Sequence, residues 1–495
     1  MPAVDMPDLD LDVAVIGAGF AGVAMAHSLQ KMRGMRFRVF EKAARVGGTW
    51  RDNVYPGCAC DIPSHLYSLS FAPKPDWSRM FAGQEEILAY LDDVVAQHGL
   101  ARHIALNTSV DQAVWDGKAA LWRLVLGSGE SLTARTLVSA MGVLHHAAFP
   151  DIDGLSDFAG RVVHTAQWDK SLDLAGRNVA VIGTGASAIQ VVPAIADKIA
   201  SMIVFQRTPP WIVPKFDRAF GADDHHRFRR YPWLRRMLRN RLFWVHEKRA
   251  TGFTRQNPEA LARTEAMCRG LLGKQVKDPD LRAKLTPTYK VGCKRLIISS
   301  DYYPALQKPG VTLETAAIAR IEPDAVVTVD GRRHKVDTII LGTGYDARRA
   351  LAHVEIRGRD GRTLQETWDA TGMEAYLGTT VAGFPNLFVI TGPNAGGGHN
   401  SQVFMIEAQV GYIAKAIRLM RGRRARRIEV REASQRRFTA EMDTRMDQSV
   451  WKGGGCKSWF LDPRTGRNNL LWPSYSTDFW LRTRLIKKQD YNLGR

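Results

Sequence analysis

The chain has 495 residues, 45% hydrophobic and 24% charged, the balance of a soluble globular protein long enough for two or three separately cored domains. Its 69 Lys and Arg outnumber 50 Asp and Glu for a net charge of +19, which invites a nucleic-acid or membrane reading, while five cysteines in such a length make no disulfide framework or zinc knuckle. No run of about 18 apolar residues is present to cross a membrane, and the acidic MPAVDMPDLDLD leads straight into a strand without the basic and apolar segments of a secretory signal, so a cytoplasmic location is expected.

The stretch DVAVIGAGFAGVAMAHSL predicts a buried strand from Asp12 to Ile16, a tight turn and a helix from about Ala21. Gly17, Gly19 and Gly22 have GxGxxG spacing: one makes the turn, the next lets backbone N–H groups approach a pyrophosphate, and the third packs helix on strand. RFRVFEK follows as a second strand ending in Glu41, whose carboxylate can accept hydrogen bonds from a ribose hydroxyl. GGTWRDNVYPGCACD then supplies Gly47 and Gly48, again letting a ligand lie against backbone. Together these predict FAD bound in extended form. Cys58 and Cys60 are separated by one residue only, too close for the redox pair of a disulfide reductase.

FAGRVVHTAQWDK, from Phe158 to Lys170, reads as a linker to a second glycine turn. There RNVAVIGTGASAIQVVPAIA repeats the first arrangement, with a strand from Asn178 to Ile182 followed by Gly183, Gly185 and Ala188. The next strand, SMIVFQRT, places Arg207 at the same offset from Gly183 that separates Glu41 from Gly17. A carboxylate would repel a ribose 2′-phosphate, whereas a guanidinium clamps it with charge-assisted hydrogen bonds. NADP(H) is therefore expected in preference to NAD(H), with Thr208 helping. A chain that holds both nucleotides is an oxidoreductase.

Two longer patterns carry a family resemblance. FAGRVVHTAQWD fits the FxGxxxHxxxW(P/D) signature of type I Baeyer–Villiger monooxygenases at Phe158, Gly160, His164, Trp168 and Asp169. The family's second pattern is met by Gly47, Gly48, Trp50, Tyr55, Pro56, Gly57 and Asp61. The chain resembles this class B flavoprotein monooxygenase family over essentially its whole length, and its tail VWKGGGCKSWFLDPRTGRNNLLWPSYSTDFW is similar to the 4-hydroxyacetophenone monooxygenase-like subgroup. The resemblance implies an α/β fold of two Rossmann-like dinucleotide-binding domains, for FAD and NADP, with a mostly helical insertion. The expected boundaries are 1–155 and 346–495 for FAD, 156–215 and 286–345 for NADP, and 216–285 for the insertion. The implied activity is NADPH- and O2-dependent insertion of one oxygen atom next to a ketone carbonyl, giving an ester or lactone through a flavin peroxide. The alternative is an N- or S-oxygenating flavin monooxygenase, against which Trp168, Asp169 and Arg295 stand. The implied partners are a small-molecule ketone and O2, with no nucleic acid and no integral membrane association.

TYKVGCKRLIISSDYY resembles the segment that carries the family's active-site arginine, which matches Arg295. Lys294 then matches a lysine aiding NADP selectivity, and Asp61 the carboxylate paired with the arginine. A permanent cation at ~4 Å in an effective dielectric of about 20 attracts an anion by roughly 4 kcal/mol, enough to keep an oxygen nucleophile deprotonated. The cofactor-binding candidates are Gly17, Gly19, Gly22, Glu41, Gly48, Thr49, Trp50, Asp61, Tyr67 and Val110 for FAD, and Gly183, Gly185, Ser187, Ala188, Arg207, Thr208 and Lys294 for NADP(H). Gly160 is expected to act as a hinge and His164 as a hydrogen-bonding latch.

The basic runs RFRRYPWLRRMLRNRLFWVHEKR (Arg227 to Arg249) and RGRRARR (Arg421 to Arg427) read as helix faces or ends in solvent. The first interleaves Tyr231, Trp233, Leu234, Leu238, Leu242 and Phe243, the pattern of a lid packed over a pocket more than of a membrane-surface helix. DTIILGTGYD predicts a buried strand returning to the first domain. After it, FPNLFVITGPNAGGGHNSQVFMIEAQ gives a strand, a Gly-rich turn and a helix from near Gln402, with Asn394, His399, Asn400 and Ser401 as pocket neighbours. Trp459 is a further candidate for the cofactor site.

Overall fold

The computed structural model describes residues 9–349, 351–456 and 458–494. The first eight residues, with which the 1–155 segment opens, lie outside the described residues, as do Ala350, Lys457 and Arg495 of the 346–495 segment. In chain order, the strands of the two large sheets are β1 (Leu11–Ile16), β2 (Phe37–Phe40), β3 (Ile104–Ala105), β4 (Val110–Asp116), β5 (Leu121–Leu126), β6 (Ser131–Ser139), β7 (Arg161–His164), β8 (Asn178–Ile182), β9 (Ser201–Phe205), β10 (Val311–Glu314), β11 (Thr338–Leu341), β12 (Glu355–Arg357) and β13 (Leu387–Val389).

Among the described residues the larger sheet runs β12-β4-β5-β6-β1-β2-β3. β1 lies parallel between β2 and β6, and its last four residues are buried, as expected of a strand covered on both faces. β5 pairs with the first half of the outer edge of β6 (Trp122 opposite Ala134) and β13 with the second half (Leu387 opposite Leu137), so that edge is filled end to end. The smaller sheet, β10-β9-β8-β11-β7, is parallel throughout. The two glycine turns follow β1 and β8, where each sheet's strand order reverses and a cleft opens beyond the strand ends. From these turns rise α1 (Phe20–Gln30) and α2 (Ala186–Ile195), and α1 packs against a long later helix.

Phe158–Lys170 is not a free linker. Its centre is β7, an edge strand of the smaller sheet, with His164 opposite Leu341. At Gly160, expected as a hinge, the structure gives a packing reason for glycine: a Cβ there would lie 2.2 Å from the Asp337 carbonyl oxygen and 2.6 Å from the Phe158 ring. Close packing alone is enough to require glycine at this position.

The 216–285 stretch folds into α3 (Ala222–Arg230), α4 (Pro232–Arg255) and α5 (Pro258–Gln275), followed by a short helix at Pro279–Lys284. Prolines at the first positions of α4 and α5 suit helix starts, where an N–H would have no intrahelical partner, and the Asn257 side chain caps α5 by accepting from the Ala260 N–H at 2.9 Å. Leu234, Leu238, Leu242 and Phe243 of α4 pack on the core beneath the larger sheet. The helix predicted from Gln402 is α6 (Gln402–Arg423), and the RGRRARR run covers its end. Although composition gives no disulfide framework, Cys293 is bonded to Cys456, tying the segment with Arg295 to the tail; Cys58, Cys60 and Cys268 are free.

Candidate active site

β1 delivers Gly17, at φ +99°, against the end of β6: a Cβ there would sit 2.8 Å from the Ala140 carbonyl oxygen. Across from it, Gly48 at φ +52° faces Gly19, with a Cβ on Gly48 falling 3.2 Å from the Gly19 Cα. No side chain intrudes between these two stretches, so bare backbone at the N-terminus of α1 borders a cavity. That environment fits a dinucleotide pyrophosphate. Gly22 does not reach the wall; its missing side chain lets α1 approach the Gly17 carbonyl, which a Cβ would meet at 1.9 Å. Glu41 is buried, and its carboxylate accepts from the Ala18 N–H at 2.9 Å, the Ala43 N–H at 3.1 Å and Arg51 Nη1 at 2.8 Å. A carboxylate has about four acceptor sites, which leaves room for one ribose hydroxyl.

The second turn repeats the plan. Gly183, at φ +113°, abuts the end of β11, and Gly185 opens α2. Ala188 is fully buried, and a Cβ on Gly342 would meet its Cβ at 2.8 Å; like Gly22, it packs helix on strand instead of lining the cavity. Ser187 Oγ lies 3.0 Å from Thr165 Oγ1, and the Thr208 carbonyl accepts from Thr184 Oγ1 at 3.1 Å. Arg207 and Lys294 border the same cavity, and neither has a carboxylate partner among the described residues. Burial and the nearby Arg207 charge lower the Lys294 pKa, and its ammonium lies 5.1 Å from the Tyr289 ring. Two unpaired cations on one wall suit a phosphate dianion.

Both turns open into a single cavity of about 1850 Å³, larger than the ~300–1,000 Å³ of a pocket for one drug-sized ligand. Gly48, Thr49, Trp50, Asp61, Tyr67 and Val110 border it, as do Ser187, Thr208, Lys294 and Arg295. The Arg295 Nε and Nη2 donate to one oxygen of Asp61 at 3.1 and 2.5 Å. The arginine side chain keeps 41% of its surface, on the wall shared by this cavity and a small annex. The Asp61 charge raises its pKa above the ordinary arginine value. Nearby, Trp50 Nε1 donates to the Tyr67 hydroxyl at 3.1 Å, and burial pushes that phenol's pKa up.

His164 sits behind the wall, 2% exposed. Its Nδ1 accepts from the Ala166 N–H at 3.0 Å, so Nε2 carries the proton and donates to Thr343 Oγ1 at 3.1 Å; Thr343 in turn donates to the Ala148 carbonyl at 2.6 Å. Burial lowers the His164 pKa and keeps the ring neutral. This chain of bonds joins β7, the segment after β11 and the loop through Ala148 that follows β6. Trp168 packs partly buried on the smaller sheet's core, and Asp169 bonds Arg161 at 2.8 Å on the surface, so neither belongs to the cavity wall.

Residues 15–83 match the family model of the NAD(P)-binding Rossmann-like domain. Over 481 residues the chain is 46% identical to a Baeyer–Villiger monooxygenase of Pseudomonas aeruginosa, covering 97% of this chain and 91% of that protein. The chain belongs to the Baeyer–Villiger monooxygenase family. Among solved structures, an oxidized steroid monooxygenase bound to NADP superposes with a TM-score of 0.86 at 30% identity, covering 98% of this chain and 99% of that one. The OTEMO complex with FAD and NADP gives a TM-score of 0.87 at 27% identity, over 98% and 100%.

Within this Baeyer–Villiger monooxygenase fold, several wall residues lay beyond sequence reasoning. Arg51 links Glu41 to Asp52 and to the Arg45 carbonyl. Gln190 of α2 accepts from the Tyr55 hydroxyl at 2.9 Å and donates to the Ala59 carbonyl at 3.0 Å, coupling the Gly47–Asp61 segment to the second turn. Of the four residues expected from the Gly-rich turn, Asn400 borders both cavity and annex and His399 the annex alone. Asn394 instead donates to the Asn468 and Leu471 carbonyls, and Ser401 to that of Leu66. Trp459, 50% exposed, borders the main cavity. Only Arg51 had a local signal, a cation ten residues after an otherwise buried carboxylate.

Proposed function

We propose that the protein inserts one oxygen atom beside a ketone carbonyl, giving an ester or lactone, with FAD, NADPH and O2. The observation that carries this reading is the Arg295–Asp61 pair on the wall of a cavity that both glycine turns share. FAD, when bound, would supply the redox chemistry between NADPH and O2. In this assignment residues 1–155 and 346–495 hold FAD through Gly17, Gly19, Glu41, Gly48, Thr49, Trp50, Tyr67 and Val110. Residues 156–215 and 286–345 hold NADP(H) through Gly183, Gly185, Ser187, Thr208 and the Arg207–Lys294 cation pair.

The catalytic residue is Arg295. Asp61 engages Nε and Nη2, and Nη1 has no hydrogen-bond partner among the described residues. That leaves a fixed donor for negative charge gathering on the reacting oxygens, without reorganisation at the moment of reaction. Guanidinium does not surrender its proton in a protein, so the charge persists where a lysine's could titrate. Asp61 orients the fork and balances part of its charge. The C-terminal segment, on which the resemblance to the 4-hydroxyacetophenone monooxygenase-like subgroup rests, contributes Trp459 to the wall and supports a tail-dependent substrate pocket.

The test is NADPH consumption by the FAD-loaded protein across a panel of cyclic, linear and aromatic ketones, with mass analysis of products. Ketone-stimulated consumption with esters or lactones heavier by one oxygen is expected. Sulfoxides or N-oxides from thioethers and amines, with no ester from any ketone, would support the N- or S-oxygenating alternative.

A further inference from the structure

We propose that the outward face of α4 docks the protein on bilayers rich in anionic phospholipid. The helix has two unlike sides. Its inner side is fully used: Leu234, Leu238, Leu242 and Phe243 pack on the core, Arg239 Nη1 donates to the His65 and Ser68 carbonyls at 2.9 and 3.0 Å, and buried Glu247 accepts from Asn400 and Thr477, each at 2.8 Å. The outer side carries Trp233 at 60% exposure, Met237 and Trp244 at 56% each, and Val245 at 48%. These side chains contribute little to the interior, yet they are among the largest apolar groups the protein shows to solvent.

Positions 233, 237, 241, 244 and 248 follow the helical repeat, so Trp233, Met237, Arg241, Trp244 and Lys248 form one stripe about 22 Å long at ~1.5 Å per residue. Arg236 flanks it. None of Arg236, Arg241 and Lys248 has a carboxylate partner among the described residues, and the one acidic residue from Tyr231 to Arg249 is the inward-facing Glu247. Tryptophan and methionine interleaved with unpaired cations match the headgroup–acyl boundary, where rings sit among acyl carbons and cations meet phosphates. A second copy of this chain fits poorly, because a two-fold contact through this stripe would bring cation against cation. The net charge of +19 adds attraction toward an anionic surface. Binding is peripheral, since no helix among the described residues is long and apolar enough to cross a membrane.

The experiment is flotation of the FAD-loaded full chain with vesicles of phosphatidylglycerol mixed into phosphatidylcholine, against phosphatidylcholine alone. Binding to the anionic vesicles only is expected, with release in about 1 M salt, where the Debye length falls to ~3 Å. Two variants separate the contributions: Trp233→Ser with Trp244→Ser, and Arg236→Gln with Arg241→Gln and Lys248→Gln. Each should weaken partitioning by about tenfold or more, while soluble-ketone turnover and FAD content report an intact fold. No flotation of the wild type, or equal flotation of wild type and both variants, overturns the proposal. So does a wild-type dimer dissociated by the tryptophan substitutions without any vesicle binding. None of these outcomes depends on which substrate the cavity takes.

Discussion

Arg207 and Glu41 occupy equivalent positions in the two halves, and their surroundings explain why the swap matters. Glu41 is buried and already anchors two backbone N–H groups and Arg51, so its spare acceptor capacity is narrow and aimed at neutral hydroxyls. Arg207 shares its wall with Lys294, both without a carboxylate partner among the described residues. Arg207→Ala should therefore raise KM for NADPH roughly 10- to 100-fold, the worth of one or two hydrogen bonds to a charged group, and leave the NADH value nearly unchanged. Steady-state kinetics with both nucleotides checks this; an equal effect on the two would place Arg207 outside the 2′-phosphate site. The residue types were legible here because charge sign and offset are local properties. The packing role of the third position was legible from the GxGxxG spacing, and the contacts of Gly22 with Gly17 and of Ala188 with Gly342 bear it out; the spacing alone did not separate these two residues from those that line the cavity.

At the scale of elements, β1, β8 and β11 were readable as short apolar runs ending at glycine, and α6 from its expected start. β7 was not. Four residues on a sheet edge, with Val162 and Val163 packed on opposite faces, carry too little alternation to be told from a connector. Its neighbour Gly160 provides a stability test. In Gly160→Ala the new Cβ meets the Asp337 carbonyl, so overpacking should cost about 1–3 kcal/mol and lower the denaturation midpoint without altering nucleotide preference. A midpoint at or above the wild-type value would contradict the packing reading. Pairings between distant segments, such as Gln190 with Tyr55 and Cys293 with Cys456, left no local trace, because each depends on how whole layers meet.

For the whole molecule, buried neutral histidines set the acid limit. Burial and neighbouring arginines push His65 and His246 down to about 4 from the ordinary 6.5. Near neutral pH both states are unprotonated and nothing is lost. Below pH 6.5 the unfolded chain binds protons that the native one refuses, so stability falls as pH drops toward 4, by up to about 1.4 kcal/mol per pH unit for each group. Glu247, held down to about 2 by His399, Thr477 and Asn400 despite its burial, adds a loss below pH 4.5. Thermal melts from pH 7 to 4 should show Tm level near neutrality and falling once the pH drops below about 6.5, and His65→Phe should flatten the upper part of that slope. A Tm that rises on acidification would contradict these assignments.

The same layers bring a cation from the segment after the helical insertion against a carboxylate from the first nucleotide unit, and the proposed activity rests on that meeting. The direct measurement is the rate of ester or lactone formation by Arg295→Ala beside the wild type, with FAD content and NADPH affinity determined for both. Loss of roughly 10²- to 10³-fold in oxygenation is expected, the usual cost of removing one preorganised donor, with both nucleotides still bound. Near-native ester formation in that variant would contradict the account.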